Sequence, residues 1–289
     1  MSVGTLYVVA TPIGHLDDLT PRAQSTLAMV DVIAAEDTRH TASLLRHFAI
    51  NTPLVALHEH NERDRIALLL QRLQQGDNIA LVSDAGTPLI SDPGYPLVHA
   101  VRAAGIRVVP IPGACAAIAA LSVAGLPTDH FSFIGFLPAR AAARREVLRN
   151  VSQHPWTLIV YESSHRIEDC LQDCITVLGE QRVAVLAREL TKQFETILSG
   201  SLASIAQQVS ADPNQRKGEF VLLIAGAPAV ATDTLALDQV LDVLLAELPL
   251  KQAVALAVKL TGVKRNEVYQ RALTRVVSVD VMSDIALDD

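Results

Sequence analysis

At 289 residues and 50% hydrophobic, the chain is long enough for two domains of ordinary size. Aromatics supply only 4% of it, so its cores must be built from Ala, Val, Leu and Ile, which suits parallel sheets under helices better than a β-sandwich. A net charge of −7 excludes nucleic-acid binding by bulk attraction but leaves local basic patches open, and the three cysteines (Cys115, Cys170, Cys174) exclude a secreted disulfide framework.

In chain order, residues 6–10 read as a short apolar strand, stopped by Thr11-Pro12-Ile13-Gly14 and preceded by no basic leader. A helix is predicted from about Pro21, a residue suited to a first helical turn. Strands follow at 32–35, 54–57, 79–82 and 107–111, alternating with helices near 40–48, 61–75 and 93–104. That alternation implies right-handed crossovers and a mainly parallel sheet. A small-residue helix at 114–124 leads to a second half with strands at 131–136, 157–161, 183–187, 196–198 and 220–225. Helices are predicted there near 141–151, 165–178 and 201–209, and the close spacing of the strands predicts a mixed sheet. Residues 227–236 read as a linker, and helices at 237–247, 250–260 and 266–275 end the chain. The expected division is an α/β domain over 1–113, a second α/β domain over 114–227 and a small helical extension over 237–289. No apolar run approaches the ~20 residues of a membrane span, so the expected compartment is the cytosol, with no membrane contact.

In open α/β sheets, ligands bind beyond the carboxyl ends of the strands, so the loops that follow the predicted strands are where chemistry is expected. These are Thr11 to Gly14, Glu36-Asp37-Thr38-Arg39-His40, His58-Glu59-His60-Asn61-Glu62, Ser83-Asp84-Ala85-Gly86-Thr87-Pro88 and Pro112-Gly113-Ala114. No G-x-G-x-x-G follows the first strand and no P-loop occurs, which excludes both nucleotide fingerprints. Glu36, Asp37 and Arg39 fit either a hydroxyl-orienting carboxylate held ionised by an arginine or a surface ion pair. His58 and His60 alternate as strand-end residues do, but H-E-x-x-H is absent and no metal is expected. Arg140, Arg144, Arg145 and Arg149 form a basic helix that is either a solvated face or a phosphate contact. Near the C-terminus, Thr261-Gly262-Val263 followed by Lys264-Arg265 resembles a helix-turn-helix.

The motifs Leu6 to Gly14, Ala34-Ala35-Glu36-Asp37-Thr38-Arg39-His40-Thr41 and Ser83-Asp84-Ala85-Gly86-Thr87-Pro88-Leu89-Ile90-Ser91-Asp92-Pro93-Gly94 closely resemble the RsmI family. So do Gly135-Phe136-Leu137-Pro138, Tyr161-Glu162-Ser163 with His165-Arg166, and Ala187-Arg188-Glu189-Leu190-Thr191-Lys192. These are ribosomal RNA small-subunit methyltransferases I, a branch of the tetrapyrrole-methylase superfamily. The resemblance implies two α/β domains of that type, S-adenosylmethionine as cofactor and a cleft between the domains. It also implies 2′-O-methylation of a cytidine ribose in the decoding region of 16S rRNA, the small ribosomal subunit as partner, and a homodimer. The mechanistic expectation places Glu36, Asp37, Arg39 and Lys192 at the chemistry. The resemblance implies Pro12, Asp84, Ala85, Gly86, Pro88, Ala114, Ala116 and Ala117 around the cofactor. His58, His60 and Asn61 at a strand end and Arg144 and Arg145 on the basic helix, with Arg166 and Glu189, are expected around the RNA. Position 15 is His where the family usually has Asn, and Ser164 replaces a residue that is often Pro or Thr. The alternatives are methylation of a tetrapyrrole carbon and a non-catalytic nucleic-acid-binding regulator.

Overall fold

The computed structural model describes residues 3–58, 62–228 and 234–285. Two compact units result, 1–226 and 227–289.

The first unit holds two sheets. The N-terminal sheet contains β1 (Thr5–Val9), β2 (Val32–Ala35), β3 (Leu54–Ala56), β4 (Ile79–Val82) and β5 (Arg107–Ile111) in the order β3-β2-β4-β1-β5. All its pairings are parallel. β2 and β4 are buried along their whole length, as central parallel strands covered on both faces must be. One face packs against α1 (Pro21–Met29) and α2 (Thr38–His47) through Leu27, Leu44 and Leu45. The other packs against α3 (Glu62–Gln75) and α4 (Tyr95–Ala103) through Leu69, Leu73, Leu97 and Val101. Each fully buried leucine contributes about 1.5–3 kcal/mol.

Local chemistry sets where these helices begin. Thr20 Oγ1 accepts from the Ala23 amide at 3.1 Å, with Pro21 in the first turn. Asp37 caps α2 by accepting from the Arg39 amide at 2.8 Å, so the helix starts at Thr38, ahead of the predicted position.

The second sheet contains β6 (Phe131–Phe136), β7 (Thr157–Ser163), β8 (Val183–Arg188), β9 (Thr196–Ser201) and β10 (Glu219–Ile224) in the order β6-β7-β10-β8-β9. It is mixed, as expected: β6 and β7 are parallel and the remaining pairings antiparallel. On one face lie α6 (Ala141–Val151), α7 (Ile167–Leu178) and α8 (Leu202–Ala211). Cys170 and Cys174 are buried in that core as free thiols. The other face packs against α5 (Ala116–Val123) together with Ile13 and Leu190.

The second unit is helical, with α9 (Thr234–Glu247), α10 (Leu250–Thr261) and α11 (Arg265–Ile285) around Leu241, Val254, Ala257 and Val268. α10 and α11 are joined through a left-handed Gly262, the predicted turn. Arg275 reaches back to Asp238 at 3.1 Å and Asp242 at 2.6 Å on α9. Among the described residues, no helix is long and apolar enough to cross a membrane.

Candidate active site

The loops after β1 and β4 and the start of α5 face the ends of β6, β7 and β8 and the start of β10 across a cavity of ≈ 240 Å³. The N-terminal loops contribute Ile13, Ala85, Gly86, Ser91 and Asp92; Cys115 and Ala116 come from the start of α5. The second sheet contributes Phe136, Tyr161, Glu162 and Glu219, and the loop after β8 contributes Leu190 and Lys192. The two sides are tied where the His15 amide donates to Thr191 Oγ1 at 3.1 Å. His15 also caps the short 3-10 turn Leu16–Asp18, its Nδ1 accepting from the Asp17 amide at 3.3 Å. An asparagine side chain does the same work, which explains why either residue suits this position.

Four non-glycine residues beside the cavity have left-handed backbones: Leu89 (φ 73°), Ser91 (68°), Glu189 (51°) and Thr191 (64°). Each costs about 1–3 kcal/mol, which the surrounding structure must offset for it to persist. That strain sits on the two loops facing one another across the site.

The inner wall is made of small residues. Gly86 has φ +80°, and a Cβ there would lie 3.3 Å from Ile13 Cγ2 and 3.7 Å from the Ala114 carbonyl. Thr11 and Gly86 exchange backbone hydrogen bonds at 2.9 and 3.1 Å, and Thr87 Oγ1 donates to Ala114 O at 3.0 Å. The Ala117 amide, in the first turn of α5, donates to the Tyr161 hydroxyl at 3.0 Å. Tyr161 is pushed above the usual phenol range by burial. Asp92 is pushed up to about 6 by burial, with nearby Asp84 adding repulsion. The Glu162 side chain is fully buried; its Oε1 accepts from the Ser163 amide at 2.9 Å and its Oε2 has no hydrogen-bond partner.

Lys192 reaches Glu189 at 2.9 Å and Glu219 at 2.7 Å. Burial opposes its charge, but the hydrogen bonds to Glu219 and Glu189 prevail and hold it above the usual lysine range. Lys192 is therefore a fixed cation and not a base. With acids and apolar groups around a single lysine, this lining fits a small cation with an apolar body better than a polyphosphate.

Of the expected cofactor residues, Ala85, Gly86 and Ala116 line the cavity, as does Lys192 from the expected chemistry. Ala114 and Ala117 support its wall through the bonds just given. Asp84 Oδ1 accepts from the Asp37 amide at 3.0 Å, placing the Glu36–Arg39 turn beside the β4 loop. Pro12 and Pro88 lie in the two loops next to lining residues Ile13 and Thr87. Asp37 is gripped by Arg39 through bonds at 3.1 and 2.8 Å. The Arg39 side chain, its amide and its charge hold the Asp37 carboxyl far below the usual range.

The RNA-facing expectations divide. His58 follows β3 at the sheet's edge, while His60 and Asn61 lie outside the described residues. Arg144 requires correction: it is 3% exposed, its Nε donating to Asp173 Oδ2 at 2.6 Å and its Nη1 to the Ala139 carbonyl at 3.2 Å. It locks α6 to α7 and presents nothing to a ligand. Arg145 pairs with the same carboxylate at 2.8 Å but is partly exposed. Arg166 lies 3.2 Å from Glu162 and donates to the Leu137 carbonyl, bracing the end of β6. Glu189 accepts from Lys192 and from the Glu219 amide at 3.0 Å, which makes it a brace for the lysine. Among the described residues, no cluster of His, Cys, Asp or Glu is arranged for a metal.

Sequence reasoning did not include Cys115, Phe136, Tyr161, Glu162 or Glu219 among the site residues. The strand-end rule, extended to the second sheet, finds Phe136 and Tyr161. It misses Glu219, which opens an antiparallel strand and reaches the site from its amino end.

Residues 5–206 match the family model for Tetrapyrrole (Corrin/Porphyrin) Methylases, and residues 231–275 match that for the RsmI C-terminal HTH domain. The chain is 57% identical over 281 residues to the ribosomal RNA small subunit methyltransferase I of Pseudomonas aeruginosa strain PAO1, covering 95% of this chain and 99% of that one. It is 56% identical to the protein of the same name from Escherichia coli O157:H7, covering 94% and 96%. Among solved structures it resembles uroporphyrin-III C-methyltransferase from Thermus thermophilus in complex with S-adenosylhomocysteine. The TM-score is 0.53 at 18% identity, over 76% of this chain and 97% of that one, a likeness of fold.

Proposed function

Because this chain belongs to the ribosomal RNA small subunit methyltransferase I family of tetrapyrrole methylases, we propose that it methylates the 2′ oxygen of a cytidine ribose in the decoding region of small-subunit rRNA. The methyl donor is S-adenosylmethionine. The observation that carries the reading is a small-walled, acid-lined cavity between two α/β halves, with the Glu36–Arg39 turn beside its β4 loop.

When bound, S-adenosylmethionine supplies an electrophilic methyl group on a sulfonium. Ala85, Gly86 and Ala116, which line the cavity, would hold the cofactor. Glu36 takes the proton of the ribose hydroxyl. Asp37, too weak a base for that task, orients the hydroxyl or Arg39. The exposed Arg39 faces the RNA backbone as a fixed charge, while Lys192 stays paired with Glu189 and Glu219 in the cavity wall. Orientation of the reacting atoms supplies about 7–11 kcal/mol of such catalysis. We further propose that 1–113 carries the substrate and cofactor loops, 114–227 completes the cleft, and the chain acts in the cytoplasm as a homodimer.

Asp92 gives the cofactor site a pH signature. Its carboxyl is neutral below about 6 and anionic above, with Asp84 and Tyr161 nearby. Affinity for the cationic S-adenosylmethionine therefore rises as pH rises through about 6, while affinity for uncharged-sulfur S-adenosylhomocysteine changes less. Calorimetric titration of both from pH 5 to 8 checks this; equal pH dependence for the two contradicts it.

The helical unit separates this reading from a non-catalytic regulator. Removing residues 227–289 is expected to raise KM for small subunits and leave S-adenosylhomocysteine affinity unchanged. Loss of cofactor binding in the truncated chain contradicts that division of labour.

A further inference from the structure

Phe136 stands apart from the other rings of the cavity wall. It is 53% exposed, in a chain that has only six phenylalanines. Its direction is set by an irregularity of the backbone. β6 and β7 run parallel with Phe133 opposite Ile159, but Gly135 lies opposite Val160 and Phe136 opposite Tyr161. One extra residue has been inserted in β6. In a regular strand, side chains alternate, and Phe136 would fall opposite Glu162, on the face covered by α6 and α7. The bulge reverses the alternation and turns Phe136 to the face of Tyr161.

The rings record that reversal. Phe133 and Phe136, three residues apart, both meet Tyr161 edge-on, at 4.9 Å and 5.7 Å. Gly135 makes the bulge possible with φ +72°, and a Cβ there would come 3.0 Å from Ser91 Oγ. Beyond it, Arg166 donates to the Leu137 carbonyl and fixes the strand's exit. An aromatic ring has thus been taken out of a core, aimed at the cavity and left largely in water.

We propose that Phe136 is the stacking platform for the base of the target nucleotide, holding it while its ribose enters the cavity; this rests on the rRNA reading above. Single-stranded bases are held on exposed aromatic faces, and every base offers a π-face. A cofactor purine would be enclosed, as ligands in pockets are, whereas a half-exposed ring at the rim meets the incoming polymer.

The test uses the full-length protein with Phe136→Ala, Phe136→Leu and Phe136→Trp, unmodified small subunits, and S-adenosylhomocysteine as the cofactor probe. Leucine keeps the apolar bulk without a stacking face, so it carries the test if the alanine variant folds poorly. Expected is a KM for subunits raised about tenfold or more in the Ala and Leu variants, with Trp near wild type. S-adenosylhomocysteine affinity by calorimetry and molecular mass by light scattering stay unchanged. Weakened S-adenosylhomocysteine binding would assign the ring to the cofactor's adenine, and a changed mass would assign it to self-association; either overturns the proposal. An unchanged KM in Phe136→Leu, with wild-type transfer intact, overturns it alone. Absence of transfer by the wild type removes the rRNA reading and this inference together.

Discussion

Arg144→Ala is expected to lower the free energy of unfolding by about 3–5 kcal/mol, the cost of leaving a buried charge without its partner. The arginine and its partner are both buried, with side chains 3% and 9% exposed. Asp173 carries two guanidinium groups, Arg144 on Oδ2 and Arg145 on Oδ1. Removing Arg144 leaves a buried carboxylate supported only from the exposed side. Arg145→Ala leaves the buried contact in place, and its cost should resemble that of a surface pair, about 0–1 kcal/mol. A double replacement, Arg144→Met with Asp173→Leu, should recover most of the loss, because apolar groups of similar volume often replace a buried pair without penalty. Urea denaturation of the four proteins checks the series. A fully stable Arg144→Ala variant with impaired RNA binding would restore the arginine to the RNA surface.

Glu36→Gln is expected to lower kcat by about 10²- to 10⁴-fold, the range of a positioned general base, with S-adenosylhomocysteine affinity unchanged. Asp37→Asn should fall less. Arg39 already suppresses the basicity of Asp37, and asparagine remains a good helix cap, so the start of α2 survives the change. Single-turnover methyl transfer at saturating subunit separates the two. Equal and small effects would remove Glu36 as the base and leave orientation as the main contribution of this loop.

Much of this was legible in the residues. Central parallel strands are buried on both faces, so 32–35 and 79–82 read as short apolar runs and fold as β2 and β4 over the predicted residues. The strand-end rule then located Ala85, Gly86 and the Glu36–Arg39 turn without any structural knowledge. Other parts depend on pairing, which a single sequence does not display. Glu219 joins the site because β10 is antiparallel to β7. Phe136 turns to the Tyr161 face because of a register shift that only its partner strand reveals. The left-handed backbones of Leu89, Ser91, Glu189 and Thr191 occur at residue types that give no signal for them. Arg144 misled for a related reason. A charged residue in a helix reads as exposed unless its buried partner is known, and Asp173 lies 29 positions away.

The central claim is methyl transfer to rRNA, and it is tested most directly with labelled S-adenosylmethionine and small ribosomal subunits that lack the modification. After incubation with the purified protein, the rRNA is digested to nucleosides and analysed by mass. The account predicts one labelled product, 2′-O-methylcytidine, formed only when the protein is present. A folded protein that binds S-adenosylmethionine yet labels no nucleoside, or labels a base carbon or nitrogen instead, would contradict it.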